Sequence, residues 1–335
     1  MRVRAPLVVT CGEPAGIAPE ITAKAWAATH REPDCAFFLI ADAVDFMART
    51  QEVGLTVPVI TINTPGEVPH TFTKALPILH VPIPLPSRAA WIDTRNSRYV
   101  IDVIKAAASI CMDGKASGMI TNPIQKDALY AVGFKHQGHT DFLASVAREK
   151  GHQATDVMML VAADLRAVPI TVHVPLKDVP QLLTGEAIVA QGIIVAKALK
   201  KYFGVAHPRL AVTGLNPHAG ENGAMGHEDR LIIEPAIKKL QTLGYNVVGP
   251  LPADTSFHPE ARATYDAILC MYHDQALIPA KTLDFHGGVN VTLGLPFIRT
   301  SPDHGTALGL AGKGTAKPDS LIAAIRLAAQ MANRI

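Results

Sequence analysis

Residues 301–320, SPDHGTALGLAGKGTAKPDS, set four glycines and two lysines just ahead of a helical tail. Such a stretch suits an anionic ligand: glycine lets backbone N–H groups approach closely, and lysine adds charge. Its spacing decides which fold can carry it. A Walker loop requires G-x-x-x-x-G-K-[ST]. Here Gly312-Lys313 is followed by Gly314, and the position five before Gly312 is Ala307, so the pattern fails at both ends. The G-x-G-x-x-G fingerprint of the dinucleotide fold is absent from the whole chain. The stretch belongs to neither of these common loops, and the surrounding chain has to say what carries it.

Working outward, short apolar runs alternate with helical patterns. The runs 5–10, 36–41, 57–62, 117–121, 156–162, 167–174, 208–214 and 265–272 are rich in β-branched residues and bounded by Gly, Pro, Asp or Asn. They read as buried strands. Helical patterns lie between them. One covers 17–29, with Pro19 early in its first turn. A second covers 93–114, with Thr94 as N-cap and Gly114 as stop. A third runs from Thr184 to Gly204 and carries lysines in its last turns, where they suit the helix dipole. This alternation predicts an α/β fold with a largely parallel sheet. The Pro-rich stretch 63–95 gives no clear reading.

The 335 residues are 48% hydrophobic and 18% charged, a globular composition. A net charge of +2 argues against a nucleic-acid or membrane partner. The apolar run in MRVRAPLVVTCGEP is too short for a secretory leader, and no run is long enough to span a bilayer. Cys11, Cys35, Cys111 and Cys270 are scattered, which reads as reduced thiols in a cytoplasmic protein.

HGTALGLAGKGTAKP (304–318) resembles the adenosine-binding loop of the β-decarboxylating dehydrogenases, the isocitrate and isopropylmalate dehydrogenase group. GEPAGIAPE (12–20) resembles that group's N-terminal glycine loop. The segments between them are TNPIQKDALYAVGFKHQGHTDFLA (121–144), TVHVPL (171–176), LNPHAGENGAMGHED (215–229), GPLPADTSF (249–257), YHDQALIPAK (272–281) and GGVNVTLGLPFIRTSPDHGTA (287–307). These narrow the resemblance to the 4-hydroxythreonine-4-phosphate dehydrogenase family. The motifs cover most of the chain in the family's order. Two positions depart from it: Glu13 stands where the family usually has Asp, and Ala18 where it usually has Gly. Glutamate keeps the charge on a longer arm, and alanine costs backbone freedom.

His173, His218 and His273 each fall at or just past a predicted strand end, the edge where open α/β sheets bind ligands. Their spacing carries no motif, and a histidine at such a place is commonly just hydrogen-bonded. The resemblance implies that the three hold a catalytic divalent metal, zinc foremost, with cobalt, manganese or magnesium as alternatives. It also implies that Asp254 and Asp274 support that site, and that Lys126 lies near it. On the residues alone, Asp254 reads as a turn residue and Asp274 as a helix cap. The general base is left open among Lys126, Asp254 and Asp274. A helix beginning at Gly138-His139-Thr140 offers N–H groups to an anion. With Lys281, Asn290 and Arg299, His139 and Thr140 form the implied substrate set. Gly12, Gly16, Asp303, His304, Gly305, Thr306, Gly312 and Gly314 form the implied cofactor set, for NAD or NADP.

The resemblance implies a three-layer α/β/α fold with a mixed, largely parallel sheet and two intertwined subdomains, 1–125 plus 295–335 and 126–294. It implies a homodimer whose active site is shared between subunits. The implied reaction is metal-dependent oxidation of 4-phosphooxy-L-threonine to 2-amino-3-oxo-4-phosphooxybutanoate. That product decarboxylates to 3-amino-2-oxopropyl phosphate, in pyridoxal phosphate biosynthesis. Threonate or erythronate 4-phosphate is the alternative substrate, and a zinc hydrolase the more distant reading.

Overall fold

The computed structural model describes residues 4–335. They divide into two compact units. One takes the described chain up to Asp156 together with Leu295–Asn333; the other takes Val157–Gly294 with Arg334–Ile335.

The first unit holds strands β1 (Leu7–Thr10), β2 (Phe37–Ala41), β3 (Val59–Ile62), β4 (Leu76–His80) and β5 (Gly118–Ile120), with β12 (Arg299–Pro302) added from the chain's end. Their order is β3-β4-β2-β1-β5-β12, and every pairing is parallel. LVVT and FFLIA are buried at every position, so β1 and β2 are covered on both faces. Helices supply that cover, as parallel sheets require. Ser97–Met112 packs on β1, β2 and β5, and Asp319–Ala332 on β5 and β12.

The second unit holds β6 (Val157–Ala162), β7 (Leu165–Thr171), β8 (Arg209–Thr213), β9 (Asn246–Leu251), β10 (Ala267–Tyr272) and β11 (Val289–Leu293). Their order is β11-β6-β7-β10-β8-β9. The pairs β11–β6 and β6–β7 are antiparallel and the rest parallel, which makes the sheet mixed. Helix Gly185–Phe203 begins where the Thr184 hydroxyl accepts the Ala187 N–H and ends at Gly204, whose φ is 70°. Helix His273–Leu283 packs across β6, β7 and β10. Among the described residues no single helix is long and apolar enough to cross a membrane.

Among the described residues all eight expected strands form and four more join them, but β3, at the sheet edge, is mostly exposed rather than buried. β4 lies in the Pro-rich stretch. β12 is RTSP, a wholly buried strand with no apolar pattern to betray it. The cap expected at Thr94 belongs to Asp93, whose carboxylate accepts the Arg95 N–H; residues Thr94–Asn96 form a 3-10 turn before helix Ser97–Met112. The expected boundary after residue 125 falls instead after Asp156. Helices Lys126–Tyr130 and His139–Glu149 both pack on Ser97–Met112, and so stay with the first unit.

Candidate active site

In the second unit, parallel strands β7, β10 and β8 lie side by side, and each leads to one of the three histidines. Tyr272 pairs with Thr171, so β10 and β7 end level. His273 opens the helix directly after β10, and His173 follows β7 in a left-handed conformation with φ 51°. Their ring centroids are 5.6 Å apart, with the planes tilted by 43°. His273 Nδ1 lies 2.7 Å from Asp274 Oδ1. That contact makes Nδ1 the donor and leaves the Nε2 lone pair for a ligand.

His218 follows β8 in a run of five residues, His218–Asn222, that all have positive φ. Left-handed backbone costs roughly 1–2 kcal/mol for each non-glycine residue, so the surroundings must impose it. Asp229, 2% exposed, is one such constraint. Its carboxylate accepts the Leu215 N–H at 2.8 Å, the Asn216 N–H at 3.3 Å and Asn216 Nδ2 at 2.9 Å. Asp254 sits exposed in the turn Ala253–Thr255. Among the described residues of one chain, no three His, Cys, Asp or Glu side chains gather to hold a metal ion. The chain thus presents a close histidine pair, with His218 carried by the neighbouring strand's loop.

The first unit gathers a different chemistry. Arg299 on β12 is 3% exposed, and its Nε and Nη2 donate to Thr121 Oγ1 at 3.2 and 2.6 Å. Burial pulls its guanidinium below the ordinary arginine value, to about 9, which still leaves it cationic at neutral pH. His139 opens helix His139–Glu149, and Thr140 is its second residue. The Asp141 carboxylate caps that helix by accepting the Gln137 and Gly138 N–H groups at 2.8 and 2.9 Å. His139 Nε2 is shielded from solvent and has no hydrogen-bond partner. Burial, then the cations of Arg299 and Lys126, hold its pKa well below the ordinary histidine value, so the ring is neutral. The end of the Lys126 side chain lies beside Gly138, where an added Cβ would be 3.9 Å from Nζ. Two cations, a neutral imidazole with an open nitrogen and a helix N-terminus converge, which is the chemistry of an anion site. Lys281 and Asn290 belong to the second unit. Lys281 is in the last turn of helix His273–Leu283, and Asn290 on β11 has a buried Oδ1 without a partner.

The glycine loops also meet in the first unit. Gly12 has φ 66°, and a Cβ there would lie 2.6 Å from Asn122 Cβ. Gly16 lies against the Thr306 carbonyl, which accepts the Ile17 N–H at 3.1 Å. Thr306 Oγ1 donates to Gln125, and the Asp303 N–H to Ser320 Oγ. His304 Nδ1 contacts the Gly305 carbonyl, and its Nε2 is shielded and unpartnered. Ala18, in place of the family's glycine, is the first residue of helix Ala18–Thr29, where alanine is well suited. Glu13 is buried, which raises its pKa, and its carboxylate accepts the Ala15 N–H.

Residues outside the expected sets hold these parts in place. Glu20 is fully buried, and its carboxylate accepts the N–H groups of Gly312 at 2.6 Å and Gly314 at 3.1 Å. Lys24, one turn further along, donates to the carbonyls of Gly314 and Ala316, both at 2.7 Å. The i,i+4 spacing of an acid and a base was visible in the sequence, but it usually marks a pair that contact each other. Here both reach across to the far end of the chain.

A family model described as pyridoxal phosphate biosynthetic protein PdxA matches residues 33–328. A protein of Caulobacter vibrioides named 4-hydroxythreonine-4-phosphate dehydrogenase is 49% identical over 331 residues, 98% of each chain. The crystal structure of a 4-hydroxythreonine-4-phosphate dehydrogenase from Klebsiella pneumoniae matches with a TM-score of 0.88 at 34% identity, over 98% of this chain and 99% of that one. A terephthalate 1,2-cis-dihydrodiol dehydrogenase from Burkholderia xenovorans matches with a TM-score of 0.66 at 25% identity, over 98% of each. On the family model and the near-complete alignment with the Caulobacter protein, this chain belongs to the PdxA family of pyridoxal phosphate biosynthetic proteins.

Proposed function

We propose that this chain is a 4-hydroxythreonine-4-phosphate dehydrogenase. In this reading it oxidises the secondary alcohol of 4-phosphooxy-L-threonine, using NAD or NADP, to 2-amino-3-oxo-4-phosphooxybutanoate. That β-keto acid loses CO₂ to give 3-amino-2-oxopropyl phosphate. The observation that carries the reading is the cluster of buried Arg299 and Thr121 with part-buried His139 and the exposed cation of Lys126, since a substrate phosphate is the anion such a cluster suits. Arg299 is held in place by Thr121 and offers its fork to the phosphate. His139 donates from its unpartnered Nε2, and the helix N-terminus at Thr140 adds a backbone N–H. Lys281 and Asn290 are assigned to the same substrate.

His173, His218 and His273 are assigned to a divalent metal. Neutral imidazole nitrogens suit zinc, cobalt or manganese better than magnesium, and the His273–Asp274 contact orients one donor outward. A cation held by these imidazoles would supply Lewis-acid chemistry, lowering the pKa of the substrate hydroxyl. Asp274 fixes the His273 tautomer. Lys126, Asp254 and Asp274 are the candidates for accepting the hydroxyl proton. The loop 303–315 is assigned to the adenosine half of the nicotinamide cofactor, with Glu20 and Lys24 holding its backbone open. A nicotinamide held there would supply the hydride acceptor for the oxidation.

Each chain contributes a histidine pair, and the set of three is assigned to a homodimer in which both subunits supply ligands. Leu176, Ile278 and Phe285, which follow His173 or His273 in sequence, are 68%, 63% and 73% exposed, and an interface would cover them. The test is turnover of purified protein with 4-phosphooxy-L-threonine, threonate 4-phosphate and erythronate 4-phosphate, each with NAD and NADP. Reduced nicotinamide should appear fastest with the amine-bearing compound. Preference for a sugar-acid phosphate would move the chain to that sister activity.

A further inference from the structure

We propose that Gln275 is a positioning residue that sets the geometry of the divalent-metal site through the strand ends, without touching the ion. The inference rests on the assignment of His173, His218 and His273 to a metal. Gln275 is 8% exposed and lies two residues into the helix that His273 opens. Its Oε1 accepts the Met271 N–H at 2.7 Å and the Thr213 hydroxyl at 2.6 Å. Its Nε2 donates to the Gly214 carbonyl at 2.8 Å. The Thr171 hydroxyl donates to the Met271 carbonyl at 2.8 Å. One amide and two threonine hydroxyls therefore tie together the ends of β7, β10 and β8.

The placement of these ties gives them a consequence. Thr171 lies two residues before His173, Met271 two before His273, and Gly214 four before His218. Asp229 continues the same network by holding Leu215 and Asn216. Each ligand is thus fixed close behind its own imidazole to a neighbouring strand. Metal–nitrogen distances tolerate only about 0.2 Å, so a loosened strand end changes affinity before it changes the fold. Asp274 differs in kind: it is exposed and contacts His273 directly. Gln275 is buried and acts on the backbone. Loss of an indirect partner of this sort typically costs about 10–100-fold in metal affinity.

The experiment is Co²⁺ binding to the full-length protein, by competition with a chromophoric chelator, with the cobalt d–d absorption recorded. Wild type is compared with Gln275→Leu, Thr213→Val, Thr213→Ser and the ligand control His273→Ala. Gln275→Leu should bind Co²⁺ about 10–100-fold more weakly and with an altered d–d band. Thr213→Val should move in the same direction by less, and Thr213→Ser, which keeps the hydroxyl, should resemble wild type. Folded Gln275→Leu with wild-type affinity and spectrum overturns the proposal. If that variant does not fold, Thr213→Val and Thr213→Ser decide, and equal behaviour of the two overturns it. Failure of the underlying metal assignment shows elsewhere, as Co²⁺ binding to His273→Ala that matches wild type, and the proposal then falls with it.

Discussion

His139 is held neutral in the folded protein, and acid should expose that. Its pKa lies well below 6.5 because it is buried and faces the cations of Arg299 and Lys126. In the unfolded chain the ring takes up a proton as pH falls through its ordinary value near 6.5. Below that value the unfolded state binds more protons than the folded one, so stability falls with falling pH. The loss approaches about 1.4 kcal/mol for each pH unit below 6.5, until the folded ring also protonates. Replacing His139 by glutamine removes the titration and keeps a polar side chain at the helix start. Unfolding free energies from urea titrations between pH 7.5 and pH 5 should separate the two proteins. Wild type should lose about 1–2 kcal/mol more than His139→Gln over that range. Other histidines and carboxylates titrate in both proteins, so the difference isolates His139. Inorganic phosphate should shrink the gap, because an anion beside the ring favours its protonated form. Parallel pH curves for the two proteins would refute the neutral, cation-facing placement of this ring.

Arg299→Lys keeps the charge and loses the fork, so KM for the phosphorylated substrate should rise about 10–100-fold while KM for the nicotinamide cofactor stays put, measured by steady-state kinetics. Glu20→Ala strips two loop N–H groups of their acceptor; it should destabilise the protein by about 2–4 kcal/mol in denaturant titrations and raise cofactor KM more than substrate KM. Chelation should abolish turnover, and alanine at His173, His218 or His273 should each lose metal by elemental analysis. If metal sites are shared across a two-fold interface, co-refolding suitable pairs of those inactive variants should restore up to about a quarter of wild-type activity. Failure of every pair, in dimers shown to be mixed, would remove the shared site and leave the ligand assignment standing.

Strands such as β1 and β2 were legible because a strand covered on both faces is usually built from Val, Ile, Leu and Phe. β12 escaped because its burial serves Arg299 and its neighbours rather than an apolar face. The histidines were legible as strand-end residues, yet nothing local foretold the left-handed run that carries His218. That run depends on Asp229, whose hold on Leu215 and Asn216 is set by tertiary placement. The loop proposed for the cofactor stood out by its glycines. Glu20 and Lys24 showed only as an i,i+4 acid and base, because the partners they hold lie nearly the whole chain away. The split after Asp156 was set by two helices choosing a neighbour, which periodicity does not report.

The clamp of Glu20 and Lys24 on Gly312–Ala316 also orders events in time. The first unit is built from both ends of the chain, whereas almost all of the second is one continuous stretch, Val157–Gly294. During synthesis the early strands β1–β5 emerge long before β12 and the glycine stretch exist to join them. The second unit has all six of its strands once residue 294 has left the ribosome. It can therefore close first, while the N-terminal half waits with an open strand edge at β5 and with Glu20 lacking its partners. A nascent chain stalled shortly after residue 294 should show a protease-resistant second unit beside a first unit that is still readily cut. The first unit is then completed only when Leu295–Asn333 joins the earlier strands, and the contacts of Glu20 and Lys24 with Gly312–Ala316 form in that late phase.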